Sequence, residues 1–502
     1  MFEEYLEKEL LRHIKIIKLL WDNESLTSIE LAEELEVTAA TIKSDVKSIN
    51  MEYCEKNNPL LISSPQGYAV LNREQRERKT YIKRIYSCSL FVKATCFFLK
   101  NNLSNIDKFE ELEYISSAKA YNVKKEVRDY LERLEILEEG KFVQFAEYRI
   151  RFLMAFFQWE LNMPIVKIPE ENRAIYNILF KEIEAQEKGM FSDSSKEYAM
   201  ILFQLSFLRR RNNPVSFPPE EEIFIKNTVV YKSLQPTIRL FLTKMLHFEI
   251  LDEEATYFVL VFNIMNINYN EELSENLKVS TQSLKENTKV RYYSLIQCFE
   301  SEFEITLSDA PIFEAALMIF LRKCLFNLQI FIPEEHIALG NIPKLPNEIL
   351  VKTKSALDQW NTITGLNLNF SKAHIVQLSS KIFFVLRKKS KPKIIYLLTG
   401  FYSDYLLGKE ILTSEYGGIV KIRRFNPEMQ KEYHQNDLIL YDSNYTILDK
   451  YTSKKLKINY IFDLQELQRI RALLFGYNLD GLESDVNGEI KSTSSYVEKN
   501  LK

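Results

Sequence analysis

Glycine is scarce in this chain, 12 of 502 residues. Helices lose stability at glycine, whereas tight turns and bulges depend on it, so the shortage favours a mostly helical protein. Histidine and cysteine are equally thin, with five of each. Cys54, Cys88, Cys96, Cys298 and Cys324 form no CxxC pair and no regular framework, and most sit in apolar runs such as KATCFFLK. They read as buried free thiols of a reducing cytoplasm. No apolar run approaches the roughly 20 residues a membrane helix needs, which excludes a membrane partner. The opening MFEEYLEKELLRH is charged and amphipathic, unlike a signal peptide. No Ser/His/Asp constellation and no metal-ligand spacing occurs, so the expectation is a protein without cofactor, metal or enzymatic activity. The formal net charge of −3 gives no general affinity for polyanions. Any nucleic-acid contact must come from a local patch.

What is present is 46% hydrophobic residues in a chain too long for one core, which implies several domains. The stretch LTSIELAEELEVTAATIKSDVKSIN (Leu26 to Asn50) holds two short helical patterns around a tight join. Thr27-Ser28-Ile29-Glu30 has the capping-box spacing. Ile29, Leu31, Ala32 and Leu35 then make an apolar face, and Val37 closes the turn. Thr38 caps the next helix, whose stripe is Ile42, Val46 and Ile49. This is a helix-turn-helix pattern, with Glu36 where the turn often takes glycine. The other face of the second helix carries Thr38, Ala39, Ala40, Thr41, Lys43, Ser44 and Lys47. Short side chains let a backbone approach base edges, hydroxyls serve bases and phosphates, and lysines serve flanking phosphates. LLISSPQGYAVL (Leu60 to Leu71) alternates around Pro65-Gln66-Gly67 and reads as a hairpin wing. Acids outnumber bases over residues 1–80, which opposes DNA binding. REQRERKTYIKR (Arg73 to Arg84) is a basic segment that could reach phosphates or form a solvated face.

Residues 87–157 repeat the plan. SLFVKATCFFLKN is an apolar helix, FEELEYIS (Phe109 to Ser116) a short one, and SAKAYNVKKEVRDYLERL (Ser117 to Leu134) a longer one. Ser117, Lys119, Tyr121, Asn122, Lys124, Lys125 and Arg128 form its small and polar face. ILEEGKFVQFAEYRIRFL turns at Gly140 and alternates, a second candidate wing. From about 165 to 388, amphipathic helices follow one another, including ILFQLSFLRRR, PTIRLFLTKMLHF, EEATYFVLVFNIM, IFEAALMIFLRKCLFNLQIF and FSKAHIVQLSSKIFFVL. Their aromatics read as bundle core. After RKKSKPK the pattern changes to strands and helices: IIYLLTG, a helix from about Tyr402 to Tyr416, GGIVKIRRF, QNDLILYD, KINYIFDL and a last helix near Leu464 to Phe475. That alternation implies a small parallel α/β domain. The residues from about Leu482 are polar and read as a disordered tail.

EYRIRFLMAFF (Glu147 to Phe157), FLRKCLFNLQIFIPE (Phe320 to Glu334) and the SSAKAY opening of the second longer helix resemble the Mga/RofA-like transcriptional regulators of Gram-positive bacteria. The resemblance covers nearly the whole chain. It implies a mostly α, multidomain protein: a first winged helix-turn-helix (1–75), a second (76–162), two helical bundles of the type regulated by the phosphotransferase system (163–283 and 284–388), an EIIB-like α/β domain (389–481) and a tail (482–502). It further implies double-stranded DNA as ligand, a homodimer formed through the C-terminal region, partners among phosphotransferase-system proteins, and activation of virulence or surface-protein genes in response to carbohydrate status. True EIIB enzymes carry phosphate on a cysteine at the first strand–helix turn. Here that turn is Leu398-Thr399-Gly400-Phe401-Tyr402-Ser403, so an interaction role is expected instead. The helical modules of such regulators accept phosphate on histidine; the candidates here are His247, His336 and His374, and for each a structural role is the competing reading. Two other function classes stand beside the DNA-binding regulator. An RNA-binding antiterminator would carry a small RNA-binding domain in place of winged helices, and a phosphotransferase enzyme would need the missing cysteine.

Overall fold

Two reciprocal hydrogen bonds start the first helix pair. Thr27 Oγ1 accepts from the Glu30 N–H at 3.2 Å, and Glu30 Oε2 accepts from the Thr27 N–H at 2.7 Å. The structure, a computed structural model, describes residues 2–55, 58–246, 251–265, 267–269, 289–308, 310–324, 327–333, 345–366, 368–389, 393–417, 420–428, 437–458 and 464–475. The chain divides into two compact units. One comprises Met1–Ile296, Ala315–Gly340 and Trp360–His374; the other comprises Gln297–Glu314, Asn341–Gln359 and Ile375–Lys502.

In the first unit, a 3-10 turn (Phe2–Tyr5) precedes α1 (Lys8–Asp22), α2 (Ser28–Glu34) and α3 (Ala39–Glu52). Leu31, Ala32, Ile42, Val46 and Ile49 are buried as the periodicity requires. Ile29 is not: it is 63% exposed, lying about 200° of helix rotation from Leu31, at the first turn of the helix. β1 (Leu61–Ser64) and β2 (Gly67–Val70) pair antiparallel, with Ser64 opposite Gly67. A third segment joins them, since Leu26 and Tyr68 exchange backbone hydrogen bonds of 3.0 and 2.8 Å. Gly67 is required there: its φ is +122°, and a Cβ would lie 2.4 Å from the Leu26 carbonyl oxygen.

α4 (Arg78–Cys88) and α5 (Leu90–Lys100) lead to a second pair, α6 (Ile106–Glu113) and α7 (Ser117–Arg133). β3 (Leu137–Glu138) and β4 (Lys141–Phe142) follow as a hairpin. Its two loop residues, Glu139 and Gly140, have φ of +49° and +76°, the signs a type I′ turn needs. The hairpin is shorter than the alternation suggests. EYRIRFL is not strand but the start of α8 (Glu147–Glu160), whose residues Glu147 to Ala155 are all buried. A helix buried on every side loses the 3.6-residue period that would have marked it.

The charges inside α8 are satisfied by a network. Arg151, 0% exposed, donates to both Glu254 oxygens at 2.7 and 2.8 Å and to Glu147 Oε1 at 2.9 Å. Arg209 donates to Glu147 at 2.8 Å through Nε and again through Nη2. Ser206 Oγ donates to Glu254 Oε2 at 2.6 Å. Burial alone would lower the Arg151 pKa; the hydrogen bonds and charge of Glu254 outweigh it and hold the guanidinium ionised.

After α8 come α9 (Glu170–Glu187), β5 (Gly189–Phe191), α10 (Asp193–Arg209), α11 (Pro219–Asn227), α12 (Val229–Leu246), α13 (Asp252–Ile264) and β6 (Ile267–Tyr269), which pairs antiparallel with β5. α12 starts well before PTIRLFL and contains Pro236, so the proline there does not open a helix. The core of the first unit is continuous from Leu6 to Met265 and takes in Leu328, Phe331 and Ile332. α14 (Lys289–Phe303), α15 (Pro311–Cys324), α16 (Asn347–Thr364) and α17 (Lys372–Lys389) follow in the chain. α15 ends at Cys324, and Gln329–Phe331 is a 3-10 turn.

The second unit holds β7 (Lys393–Leu398), α18 (Tyr402–Tyr416), β8 (Val420–Arg424), β9 (Leu438–Tyr441), β10 (Lys454–Lys457) and α19 (Leu464–Phe475). The four strands are parallel in the order β10-β9-β7-β8. Ile395, Leu397, Leu438 and Leu440 face the core with Leu412, Tyr416, Ile470 and Leu474 of the two helices. Tyr396 and Ile439 face the other side with Phe425, Leu448 and Tyr451. The fourth strand lies in KKLK, earlier than KINYIFDL: its residues pair with Leu438 to Tyr441, and residues 459–463 of the expected strand are outside the described residues. The protein is thus mostly α, multidomain, with an N-terminal helix-turn-helix region and a small C-terminal α/β region. Among the described residues no helix is long and apolar enough to cross a membrane.

Candidate nucleic-acid interface

The turn between α2 and α3 is a Schellman motif. Val37 N–H bonds to the Ala32 carbonyl at 2.9 Å, and Glu36 lies in the left-handed region at φ 54°. The turn between α6 and α7 repeats it: Ile115 N–H bonds to the Glu110 carbonyl at 3.2 Å, and Tyr114 has φ 52°. Each turn is followed by a hydroxyl N-cap. Thr38 Oγ1 accepts from the Thr41 N–H at 3.2 Å, and Ser116 Oγ accepts from the Lys119 N–H at 3.4 Å. With the caps aligned, the two helices offer matching outer faces. Ala40, Lys43, Ser44 and Lys47 on α3 correspond to Ala118, Tyr121, Asn122 and Lys125 on α7, and all eight are exposed. These residues stand at i, i+3, i+4 and i+7, one stripe of a helix.

The remaining sequence-derived positions divide by what they touch. Thr38 is exposed, but its hydroxyl also meets the Thr41 hydroxyl at 2.9 Å, so the two serve the helix start together. Ala39 is half-buried. Ser117 Oγ donates to Glu110 Oε2 at 2.7 Å. Lys119 and Arg128 are exposed beside the α7 stripe. Lys124 turns toward its own core: its Nζ lies 5.2 Å from the Phe98 ring centre, and burial, then Arg128, lower its pKa.

The basic segment Arg73 to Arg84 is largely engaged by other groups of the protein itself. Arg73 donates to the Trp21 and Asn23 carbonyls at 2.8 and 3.2 Å. Arg76 donates to the Pro59 carbonyl at 3.0 Å, Arg78 pairs with Asp22 at 3.0 Å, and Arg84 donates to the Tyr53 carbonyl at 2.9 Å. Lys83 sits over the Trp159 ring. Free carbonyls at helix ends attract guanidinium groups, and such partners are far away in sequence.

Several positioning residues carry little sequence signal. Asn50 clamps the wing to α3: its Oδ1 accepts from the Leu60 and Leu61 N–H groups at 3.0 and 2.9 Å, and its Nδ2 donates to the Leu61 carbonyl at 2.7 Å. Asp45, 3% exposed, faces inward from α3 to Arg12 and His13. Tyr114 is 96% exposed at the second turn, an aromatic where the backbone favours glycine. Glu9, His13 and Asp45 are the group of metal-capable side chains found among the described residues. Both Asp45 oxygens already bind the Arg12 guanidinium, at 2.5 and 2.9 Å, which makes the group an ion-pair network rather than a cation site.

His374 is fully buried, its Nδ1 2.8 Å from Ser371 Oγ, so its ring is closed to a phosphoryl donor in this conformation. His247 and His336 lie outside the described residues. Of the cysteines, Cys96, Cys298 and Cys324 are buried, Cys54 is half-buried and Cys88 is exposed. At the β7–α18 turn, the Gly400 N–H donates to Asp442 Oδ2 at 2.7 Å, and Tyr445 holds the other Asp442 oxygen at 3.0 Å. A carboxylate thus already meets that backbone donor.

A family model described as an HTH domain matches residues 12–68. The match runs from Arg12, within α1, to Tyr68 of the wing, and domains of the matched type are non-catalytic DNA-binding regulatory modules. No curated protein matches the chain.

Proposed function

We propose that this protein is a transcriptional regulator that binds duplex DNA through two winged helix-turn-helix heads, in the manner of the Mga/RofA-like family. The observation that carries the reading is the repeated turn: Glu36-Val37-Thr38 and Tyr114-Ile115-Ser116 share left-handed backbone, back-bond and cap, and each launches a helix with an exposed Ala-x-x-polar-polar-x-x-Lys stripe. α3 and α7 are the recognition helices. Lys43, Lys47, Lys125 and Arg128 neutralise phosphates, while Ser44, Tyr121 and Asn122 meet base edges or sugars. Lys119 adds charge at the α7 start. One head offers few base contacts, so two heads, doubled in a homodimer, supply avidity, and DNA shape contributes to site choice.

The domain scheme 1–75, 76–162, 163–283, 284–388, 389–481 and 482–502 belongs to this reading. So do an EIIB-like C-terminal domain used for dimerisation, control by phosphotransferase-system proteins, and activation of virulence or surface-protein genes. The Asp442 carboxylate at Gly400 supports an interaction role over phosphoryl carriage.

The test is duplex binding by the full chain across a salt series. Lys43→Ala with Lys47→Ala, and separately Tyr121→Ala with Lys125→Ala, are expected to weaken binding. The lysine pair should flatten the salt dependence by about one unit of slope per lost phosphate contact. Affinity and slope unchanged in both variants would remove these helices from the interface.

A further inference from the structure

We propose that the segment Phe2–His13 is a bracket that fixes the two recognition helices at one separation and phase, so that the protein reads two DNA elements only at one spacing. The proposal rests on the DNA-binding reading above and adds what sets the distance between the heads.

The segment is attached to both helices by side chains. At its far end, Arg12 makes its bidentate pair with Asp45 of α3. His13 lies between Tyr53 OH and Asp45 Oδ1, 3.2 Å from each. At its near end, the Tyr5 ring stacks on Phe91 with centroids 4.9 Å apart, meets Tyr130 of α7 edge-on at 5.5 Å, and donates its hydroxyl to Asp129 of α7. Glu4 accepts from Arg133 at 3.0 Å, and the same guanidinium covers the Tyr5 ring. Glu3 accepts from Tyr86 at 2.7 Å, and Glu7 accepts from the Leu90 N–H at the start of α5 at 2.8 Å. Phe2 packs edge-on against Tyr86 and Phe156. The Arg133–Glu4 pair is exposed and contributes little. The aromatic packing of Tyr5 and Phe2 carries the attachment.

α1 begins at Lys8, so the run between the two attachments is mostly helix and therefore stiff. A flexible linker would let the heads engage elements at many spacings, because effective concentration falls slowly with linker length. A stiff bracket admits one phase, because the duplex turns once in about 10.5 base pairs. The first head's own N-terminal residues thus form part of the second head.

Two measurements on the full chain test this. Fluorophores introduced through unnatural amino acids at Glu34 and Glu111, both exposed and off the proposed DNA stripe, report the distance between heads. Wild type should give one narrow distribution, and Tyr5→Ala with Arg133→Ala should broaden it while thermal unfolding stays cooperative. Glu4→Lys with Asp129→Lys changes only exposed side chains, but it sets two lysines against Arg133 and removes the acceptor of the Tyr5 hydroxyl, and so should broaden it in the same direction. For DNA, a duplex enriched from random sequence carries both elements. Inserting roughly half a helical turn, ~5 base pairs, should weaken wild type about 10-fold or more and the Tyr5/Arg133 variant less than about 3-fold. Narrow distributions in both variants, or wild-type binding indifferent to the insertion, would overturn the bracket. Wild type that binds no duplex would overturn the DNA reading, and the distance measurement would still decide whether the segment fixes the heads.

Discussion

Arg12 and Asp45 form a two-point pair, Nε to Oδ2 at 2.5 Å and Nη2 to Oδ1 at 2.9 Å, that locks α1 onto α3, the second helix of the helix-turn-helix. The Asp45 side chain is 3% exposed and the Arg12 side chain 22%. Breaking such a pair from one side leaves a buried carboxylate without its cation. Arg12→Ala is therefore expected to cost about 2–4 kcal/mol in urea unfolding, and Arg12→Lys less, because lysine keeps the charge but loses the fork. A cost under about 0.5 kcal/mol would show that His13 alone satisfies Asp45.

Glu36 and Tyr114 hold left-handed backbone at φ 54° and 52° in the two turns. A Cβ makes that conformation unfavourable, and glycine relieves it at some cost in chain entropy. Glu36→Gly and Tyr114→Gly should each stabilise the fold by about 0.5–1 kcal/mol. The two positions differ in function. Tyr114 is 96% exposed, and its loss should also weaken duplex binding, whereas Glu36→Gly removes an acid near the proposed interface and should strengthen it. Unfolding midpoints and duplex titrations on the same preparations check both halves.

Gly67 sits under the Leu26–Thr27 backbone, where an added methyl would be 2.4 Å from a carbonyl oxygen that cannot move without breaking the bridge to Tyr68. Gly67→Ala should destabilise the first head by about 2 kcal/mol or more, through both the clash and the φ of +122°. Hydrogen exchange should localise the loss to the amides of Leu26, Tyr68 and β1. If those amides keep wild-type protection, the bridge does not hold the wing.

These positions show how far a sequence can be read. The capping box at Thr27, the cap at Thr38 and the Ile42-Val46-Ile49 stripe are local patterns, and the structure reproduces them. Gly67 and Tyr114 respond to backbone conformation, which a residue name signals only faintly. The charged groups of α8 and the Arg73 to Arg84 segment were illegible for another reason. Arg151 meets Glu254, and Arg73 meets Trp21, across large sequence separations. Composition therefore shows charge where the fold shows a neutralised core or a capped helix end. Among the sequence-derived interface residues, Ala40, Lys43, Ser44, Lys47, Tyr121, Asn122 and Lys125 share the exposed stripes. Lys124 shares their composition, but its stem packs on Phe98.

The last prediction concerns acid. His374 is 0% exposed, its Nε2 has no hydrogen-bond partner among the described residues, and Phe320 packs edge-on at 6.1 Å. Burial, and then the nearby Lys323 charge, push its pKa down to about 3 from the ordinary 6.5. Between those values the unfolded chain binds a proton at this residue and the folded chain does not. The contribution of His374 to stability then falls as pH drops below 6.5 and levels off near 3, by at most about 1.4 kcal/mol per pH unit. His374→Leu removes the titrating ring and should flatten that part of the profile. Its effect relative to wild type should grow more favourable at each step from pH 7 to 4 in denaturant unfolding. A wild-type-minus-variant difference that stays constant over this range would mean that the imidazole takes up its proton without leaving the core.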